Sequence, residues 1–291
     1  MTSTPARFKE KVLGTPLACI VAAHNGLGAR LAERAGFDGI WASGFELSAS
    51  YGLPDASLLS MTQHLDACRA MAEATDIPIV ADIDTGYGNA INVMHVIERY
   101  EAAGMAAVVI EDKMFPKDTS LLAGGRQELV RVEEFQGKIE AALAARRDPN
   151  FMIVARVEAL IAGMGQDDAR MRGEKYAEAG ADAILIHSKS KKPDEIVTFI
   201  ERWRLDTPLV LVPTSYPDLT EADIRKLGKV KLVIYANQGL RAAVTAMEKT
   251  FAQIRADRGI QNADKTIVPV EHIFELQNVE TMKAREKKYL R

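Results

Sequence analysis

IPIVADIDTGYGNAINVMHVIERYEAAGMAAVVIED, residues 77–112, is one strand–helix–strand unit written out in full. IPIVADIDT (77–85) is a continuous apolar run, too short for a helix, of the kind a strand buried on both faces requires. NVMHVIERYEAAG then sets apolar residues at helical spacing and stops at Gly104, where a left-handed cap suits glycine. AAVVIED (106–112) is the next buried run. Outward from this unit the same helix-stop-strand joint recurs as AGFDGIW and AGADAIL, and Gly36, Gly180 and Gly228 are read as further helix ends. The remaining apolar runs are LACIVAA (17–23), GIWASGF (39–45), FMIVARVEA (151–159), AILIHS (183–188), PLVLVPTS (208–215) and VKLVIYAN (230–237), which makes eight in all.

Eight right-handed crossovers in succession close into an α/β (β/α)8 TIM barrel. An open doubly wound sheet would carry a GxGxxG turn after its first strand, and none is present. At 291 residues the chain exceeds the roughly 250 of a bare barrel. The expectation is one barrel domain over 1–291 with a helical extension at about 239–291, containing a long helix at 239–259 and further helices at 271–277 and 279–290. EHIFEL in that extension keeps apolar residues that need cover, from a partner subunit or from the chain's own barrel.

Net charge is −3, which gives no electrostatic reason to expect nucleic acid or an anionic membrane as partner. The N-terminus lacks a secretory apolar stretch and no run approaches the ~20 residues of a membrane span. Cys19 and Cys68 sit in apolar or helical patterns without metal spacing, which suits reduced thiols in the cytoplasm.

In a barrel of this kind the site lies at the C-terminal strand ends. Polar residues gather there: Ser43-Gly44, Asp82 and Asp84, Glu111-Asp112-Lys113, Arg156 and Glu158, His187-Ser188, Thr214, Tyr235 and Asn237. Asp82 and Asp84, two apart on one strand, point to the same side and repel unless a cation or proton separates them. With Glu111 they form an all-oxygen set that favours Mg2+ or Mn2+ over zinc. The alternative for Asp84 alone is a helix cap before TGYGN. His187 stands between a core histidine and a functional one. EDKMFPKDTSLLAGGRQEL, after the fourth run, is long for a βα loop and carries Lys117, Asp118, Thr119, Ser120 and Arg126, with Gly124-Gly125 as a hinge. It reads either as a lid over an anionic, phosphate-like substrate or as a surface loop with ordinary polar residues.

WASGFELSASYGLPD, ADIDTGYGN, EDKMFPKDTSL, ARVEA and AGADAILIHS together resemble the phosphoenolpyruvate mutase branch of the isocitrate lyase superfamily, over nearly the whole chain. The resemblance implies Mg2+ (with Mn2+ or Co2+ able to substitute) on Asp82, with Asp55, Asp84 and Glu111 acting largely through water. It implies that Trp41, Ser43, Gly44, Phe45, Ser120 and Arg156 contact substrate, and that a helix swap builds a homodimer or homotetramer. The lid lacks the cysteine of the superfamily's C–C lyases, and reads Lys117-Asp118-Thr119-Ser120 where the mutases carry a KTNS-like sequence. Thr119 in this context is similar to the members that hydrolyse the P–C bond of phosphonopyruvate to pyruvate and phosphate. Arg156 and Lys117 are then expected beside the departing phosphoryl group, with His187 as a donor and Thr119 orienting water. The alternatives are mutase chemistry, which interconverts phosphoenolpyruvate and phosphonopyruvate, C–C cleavage of a small 2-oxo or 2-hydroxy diacid, a Schiff-base aldolase using Lys113, and a non-catalytic ligand-binding barrel.

Overall fold

The computed structural model describes residues 3–291, and it divides the chain after Asn237 into two compact units. In the first, helix and strand alternate: α1 (Thr4–Gly14), β1 (Ala18–Ala23), α2 (Gly26–Arg34), β2 (Gly39–Ala42), α3 (Gly44–Ser50), α4 (Met61–Ala74), β3 (Ile79–Asp82), α5 (Ala90–Ala102) and β4 (Ala107–Glu111). The series continues with α6 (Val132–Ala145), β5 (Met152–Val157), α7 (Gln166–Glu178), β6 (Ala183–Ile186), α8 (Asp194–Arg202), β7 (Leu209–Leu211), α9 (Glu221–Leu227) and β8 (Val230–Tyr235). Each strand pairs in parallel with the next, and β8 pairs with β1 to close the barrel. The eight apolar runs are the eight strands. Gly36, Gly104, Gly180 and Gly228 all take the left-handed backbone expected after a helix, with φ of 83°, 84°, 99° and 74°.

Strand parity sorts the core into two layers. Ile20, Trp41, Val80, Val109, Val154, Leu185, Val210 and Leu232 point inward and fill the barrel, joined by Phe8 and Val12 of α1. Ala42, Ala81, Ile110, Val157 and Ile186 point outward and pack in the shell between strands and helices. Continuous apolar runs follow, because both faces of every strand are covered.

The second unit, 238–291, holds α10 (Gln238–Asp257), a short 3-10 turn, α11 (Val270–Leu276) and α12 (Val279–Tyr289). None of the twenty residues of α10 is buried within the chain, and Val244, Met247 and Phe251 are exposed. Among the described residues, no helix is long and apolar enough to cross a membrane. Cys19 and Cys68 are free thiols.

Candidate active site

The same parity builds the site. Two residues beyond Trp41, Val80, Val109, Val154 and Leu185, on the same inward side, come Ser43, Asp82, Glu111, Arg156 and His187. One more inward step on β4 and β5 gives Lys113 and Glu158. The outward residues have other work. Asp112, two beyond Ile110, meets α7, accepting from the Tyr176 hydroxyl at 2.8 Å and Arg172 at 3.1 Å. Ser188, two beyond Ile186, donates to Glu195 of α8.

Four carboxylates gather at one side of the mouth. Gly44 N–H, at the start of α3, donates to Asp82 Oδ2 at 3.2 Å. A Cβ on Gly44 would lie 2.9 Å from Asp84 Oδ1, so a larger residue here would have to displace that carboxylate. Asp84 takes a left-handed φ of 49°, uncommon for a residue other than glycine, and its carbonyl accepts from Glu111 N–H at 2.8 Å. Such strain at a site is maintained by its surroundings. Here the buried Lys138 of α6 also grips the turn, donating to the Thr85 carbonyl at 2.9 Å.

Lys117 from the lid lies among these acids, 2.7 Å from Asp84, 3.1 Å from Asp55 and 3.9 Å from Glu111. Burial alone would lower its ammonium, but Asp84, Asp55, Glu111 and Asp82 together hold it well above the usual lysine range. Burial, reinforced by the neighbouring carboxylates, raises Asp82 and pushes Asp84 up to about 8 against the pull of Lys117.

The opposite side is cationic. Arg156 Nε donates to Glu158 Oε1 at 2.5 Å and lies 3.3 Å from Glu111 Oε2, its cross-strand neighbour. His187 Nδ1 is 2.9 Å from both Glu158 Oε1 and Arg156 Nη2. The guanidinium can only donate and an ionised carboxylate can only accept, so either tautomer keeps one of these contacts. Burial lowers the His187 pKa, which keeps the ring neutral near pH 7. Burial would raise Glu158, yet Arg156, His187 and Lys113 hold it well below the usual carboxylate range.

A cavity of about 300 Å3 separates the two sides. Trp41, Ser43, Phe45, Asp55, Asp82, Lys117, Thr119, Ser120, Arg156 and His187 line it. Gly44, Asp84 and Glu111 stand directly behind that wall through the contacts above. The structure thus gathers the residues expected to hold metal or substrate, whereas three strand-end candidates, Asp112, Ser188 and Tyr235, point away, Tyr235 donating to Glu221 at 2.8 Å, and two of the gathered residues sit differently from expectation. Lys117 pairs with the carboxylates rather than with Arg156 and His187. The Ser120 hydroxyl is filled by protein partners, donating to Glu158 at 2.6 Å and accepting from Lys113 at 2.7 Å and Arg156 at 3.0 Å. Sequence reading also missed Leu121, Leu122, Val212 and Ala236 in the wall, and left Thr214 and Asn237 without a role. The two lid leucines carry no chemical signal, and Glu158 could have been promoted by its parity with Arg156.

Among the described residues, no three His, Cys, Asp or Glu side chains are placed to enclose a metal directly. The donor set nevertheless fits a hard cation held through few direct ligands and several waters, as Mg2+ prefers. Both carboxylate oxygens of Glu111 are buried without a hydrogen bond, so this acid has coordination capacity to spare.

Barrel, carboxylate cluster, cationic wall and lid together define an enzyme for a small anionic substrate worked on beside a hard divalent ion. The chain belongs to the phosphoenolpyruvate phosphomutase family, whose model matches residues 10–255. It is 61% identical over 271 residues to phosphonopyruvate hydrolase of Variovorax sp. (strain Pal2), covering 93% of each chain. A crystal structure of phosphonopyruvate hydrolase complexed with oxalate and Mg2+ matches with a TM-score of 0.94 at 56% identity, covering 99% of this chain and 100% of the other. That of phosphoenolpyruvate phosphomutase from Streptomyces platensis subsp. rosaceus matches with a TM-score of 0.96 at 52% identity, covering 99% of both.

Proposed function

We propose that this chain hydrolyses the P–C bond of phosphonopyruvate, giving pyruvate and phosphate. The observation that carries the reading is the 61% identity with phosphonopyruvate hydrolase across 93% of both chains. The two-sided cavity suits that chemistry.

Asp82 would hold Mg2+, with Asp55, Asp84 and Glu111 acting through water. When bound, the ion supplies charge that stabilises the enolate left as the P–C bond breaks. Ser43, Gly44 and Phe45 present the start of α3 to the substrate carboxylate, beside Trp41. The departing phosphoryl group spreads negative charge over its oxygens and needs cationic neighbours. Arg156 supplies them, aligned by Glu158, and neutral His187 adds a hydrogen bond. Lys117 balances the carboxylates from above, and the lid keeps bulk water out while Thr119 orients the water that attacks phosphorus. Proton delivery to the enolate completes pyruvate.

The chain works as a single barrel domain with its helical extension at about 239–291. The bare Val244, Met247 and Phe251 of α10 favour a homodimer or homotetramer built by exchange of that helix. Two free thiols suit a reducing cytoplasm. A second reading, mutase chemistry, is favoured by the TM-score of 0.96 with the Streptomyces phosphomutase. Phosphorus NMR with Mg2+ and phosphonopyruvate, with pyruvate assayed in parallel, separates the two. Equal phosphate and pyruvate support hydrolysis, while phosphoenolpyruvate without phosphate sinks it.

A further inference from the structure

Lys113 is buried, 1% exposed, and takes no part in the reaction as drawn above. Its ammonium donates to the Asp118 carbonyl at 2.8 Å and to Ser120 Oγ at 2.7 Å, and lies 3.4 Å from Glu158 Oε2. Two of the three N–H bonds of the ammonium are thus taken by hydrogen bonds, and the ion pair with Glu158 supplies the counter-charge. A lysine held this way is not a free amine awaiting a keto acid. Two of its partners, Asp118 and Ser120, belong to the lid, and the third belongs to the pair that holds Arg156.

The Ser120 hydroxyl closes the circuit. It has one hydrogen and two lone pairs. Glu158 takes the hydrogen, and Lys113 and Arg156 Nη2 take the lone pairs. With the lid away, Glu158 Oε2 and Arg156 Nη2 each lose a partner, and Lys113 turns wholly toward Glu158 in competition with Arg156. The end of Glu158 near the backbone stays fixed, since its N–H donates to Asp112 Oδ1 at 2.9 Å. The part that can move is therefore the guanidinium and its carboxylate.

We infer that Lys113 is a positioning residue which, through the Ser120 hydroxyl, makes lid closure and alignment of the Arg156 guanidinium a single event. A substrate that closes the lid thereby arms the cation it needs, and an open site is held idle. The inference rests on the proposed function only in assigning Arg156 to the reacting phosphoryl group.

The test uses the full chain with Lys113→Met, which keeps length and removes charge, and Ser120→Ala. Trypsin cleavage at the exposed Arg126 of the lid is timed in the presence of Mg2+ and oxalate, and kcat and KM are measured with phosphonopyruvate. Loss of a charge-assisted bond predicts lid cleavage faster by roughly tenfold or more in both variants. Misalignment of a catalytic group predicts kcat lower by ~100-fold with a smaller change in KM. Added methylammonium should restore part of the kcat lost in Lys113→Ala, which a purely structural lysine would not allow. Unchanged lid cleavage with kcat within about twofold of wild type overturns the inference. Where Lys113→Met does not fold, Ser120→Ala decides by the same two readings. Wild-type protein that releases no phosphate would sink the hydrolase reading, while the cleavage arm would still decide the latch.

Discussion

Replacing Glu158 by Gln keeps the shape of the side chain and removes its charge, so the cost can be worked out from its contacts. Glu158 is fully buried and faces Arg156 Nε at 2.5 Å, His187 Nδ1 at 2.9 Å, Ser120 Oγ at 2.6 Å and Lys113 Nζ at 3.4 Å. An amide oxygen turned to Arg156 puts its NH2 on Ser120, whose lone pairs are already taken. The reverse orientation sets NH2 against the guanidinium. Either way donors face donors, and two buried cations lose their shared counter-charge. Breaking a buried pair costs about 3–5 kcal/mol. Glu111, 3.3 Å from Arg156, takes up part of the charge, which favours the lower end, about 3 kcal/mol. At ~2–4 °C per kcal/mol this lowers Tm by roughly 6–12 °C. Calorimetry at equal protein concentration measures it, since any assembly makes Tm concentration-dependent. The pH arm has a definite sign. The folded-state pKa of Glu158 lies well below its usual 4.5, so the stabilisation is complete above 4.5 and is lost as pH falls through the folded value. The gap between wild type and variant therefore narrows on acidification. A variant that melts within about 2 °C of wild type at pH 7 would refute the assignment of Glu158 as counter-charge to Arg156 and Lys113.

Asp82→Ala should abolish Mg2+-dependent turnover and weaken Mn2+ binding, read by electron paramagnetic resonance, by roughly tenfold or more; near wild-type binding would place the ion elsewhere. Asp84, pushed up to about 8 chiefly by burial, must lose its proton before the site takes a cation, so Mg2+ affinity should rise with pH up to about 8. Without metal the sign of the stability term is opposite, present at low pH and lost as pH rises through about 8. Titration calorimetry in buffers of different ionisation heat counts the released protons, and a pH-independent affinity would contradict this. Thr119→Asn should lower phosphate release and bring out phosphoenolpyruvate in the phosphorus spectrum. Intact hydrolysis with no phosphoenolpyruvate would mean that Thr119 does not set the outcome.

The barrel was legible because buried parallel strands leave a local mark: unbroken apolar runs, each preceded by a glycine-stopped helix or a loop. Asp82, Glu111, Arg156 and His187 were legible for a related reason, since a charge at the end of such a run has nowhere to go but the mouth. Lys113 and Glu158 carry the same mark, yet their importance lies in pairing with each other and with Ser120, and partners 7 and 38 residues from Ser120 leave no local trace. The direction of Lys117 was hidden for a similar cause. Its oxygen partners come from three separate segments, Asp55, Asp84 and Glu111, which only the folded chain brings together. The second unit was read for its helices but not for its burial, because an amphipathic helix shows which face is apolar and not what covers it.

Both ends of the lid are pinned side by side. Lys113 bridges to Leu129 in antiparallel pairing, Met114 N–H donates to the Glu128 carbonyl, and Val130 N–H to that of Asp112. In evolutionary terms the stretch between is a cassette. Its ends are paired to each other at the rim, so a change of length within it need not shift a strand. Loops tolerate change more readily than the elements they connect, so a change of chemistry between these two anchors need not move the backbone that carries Asp82, Glu111 and Arg156.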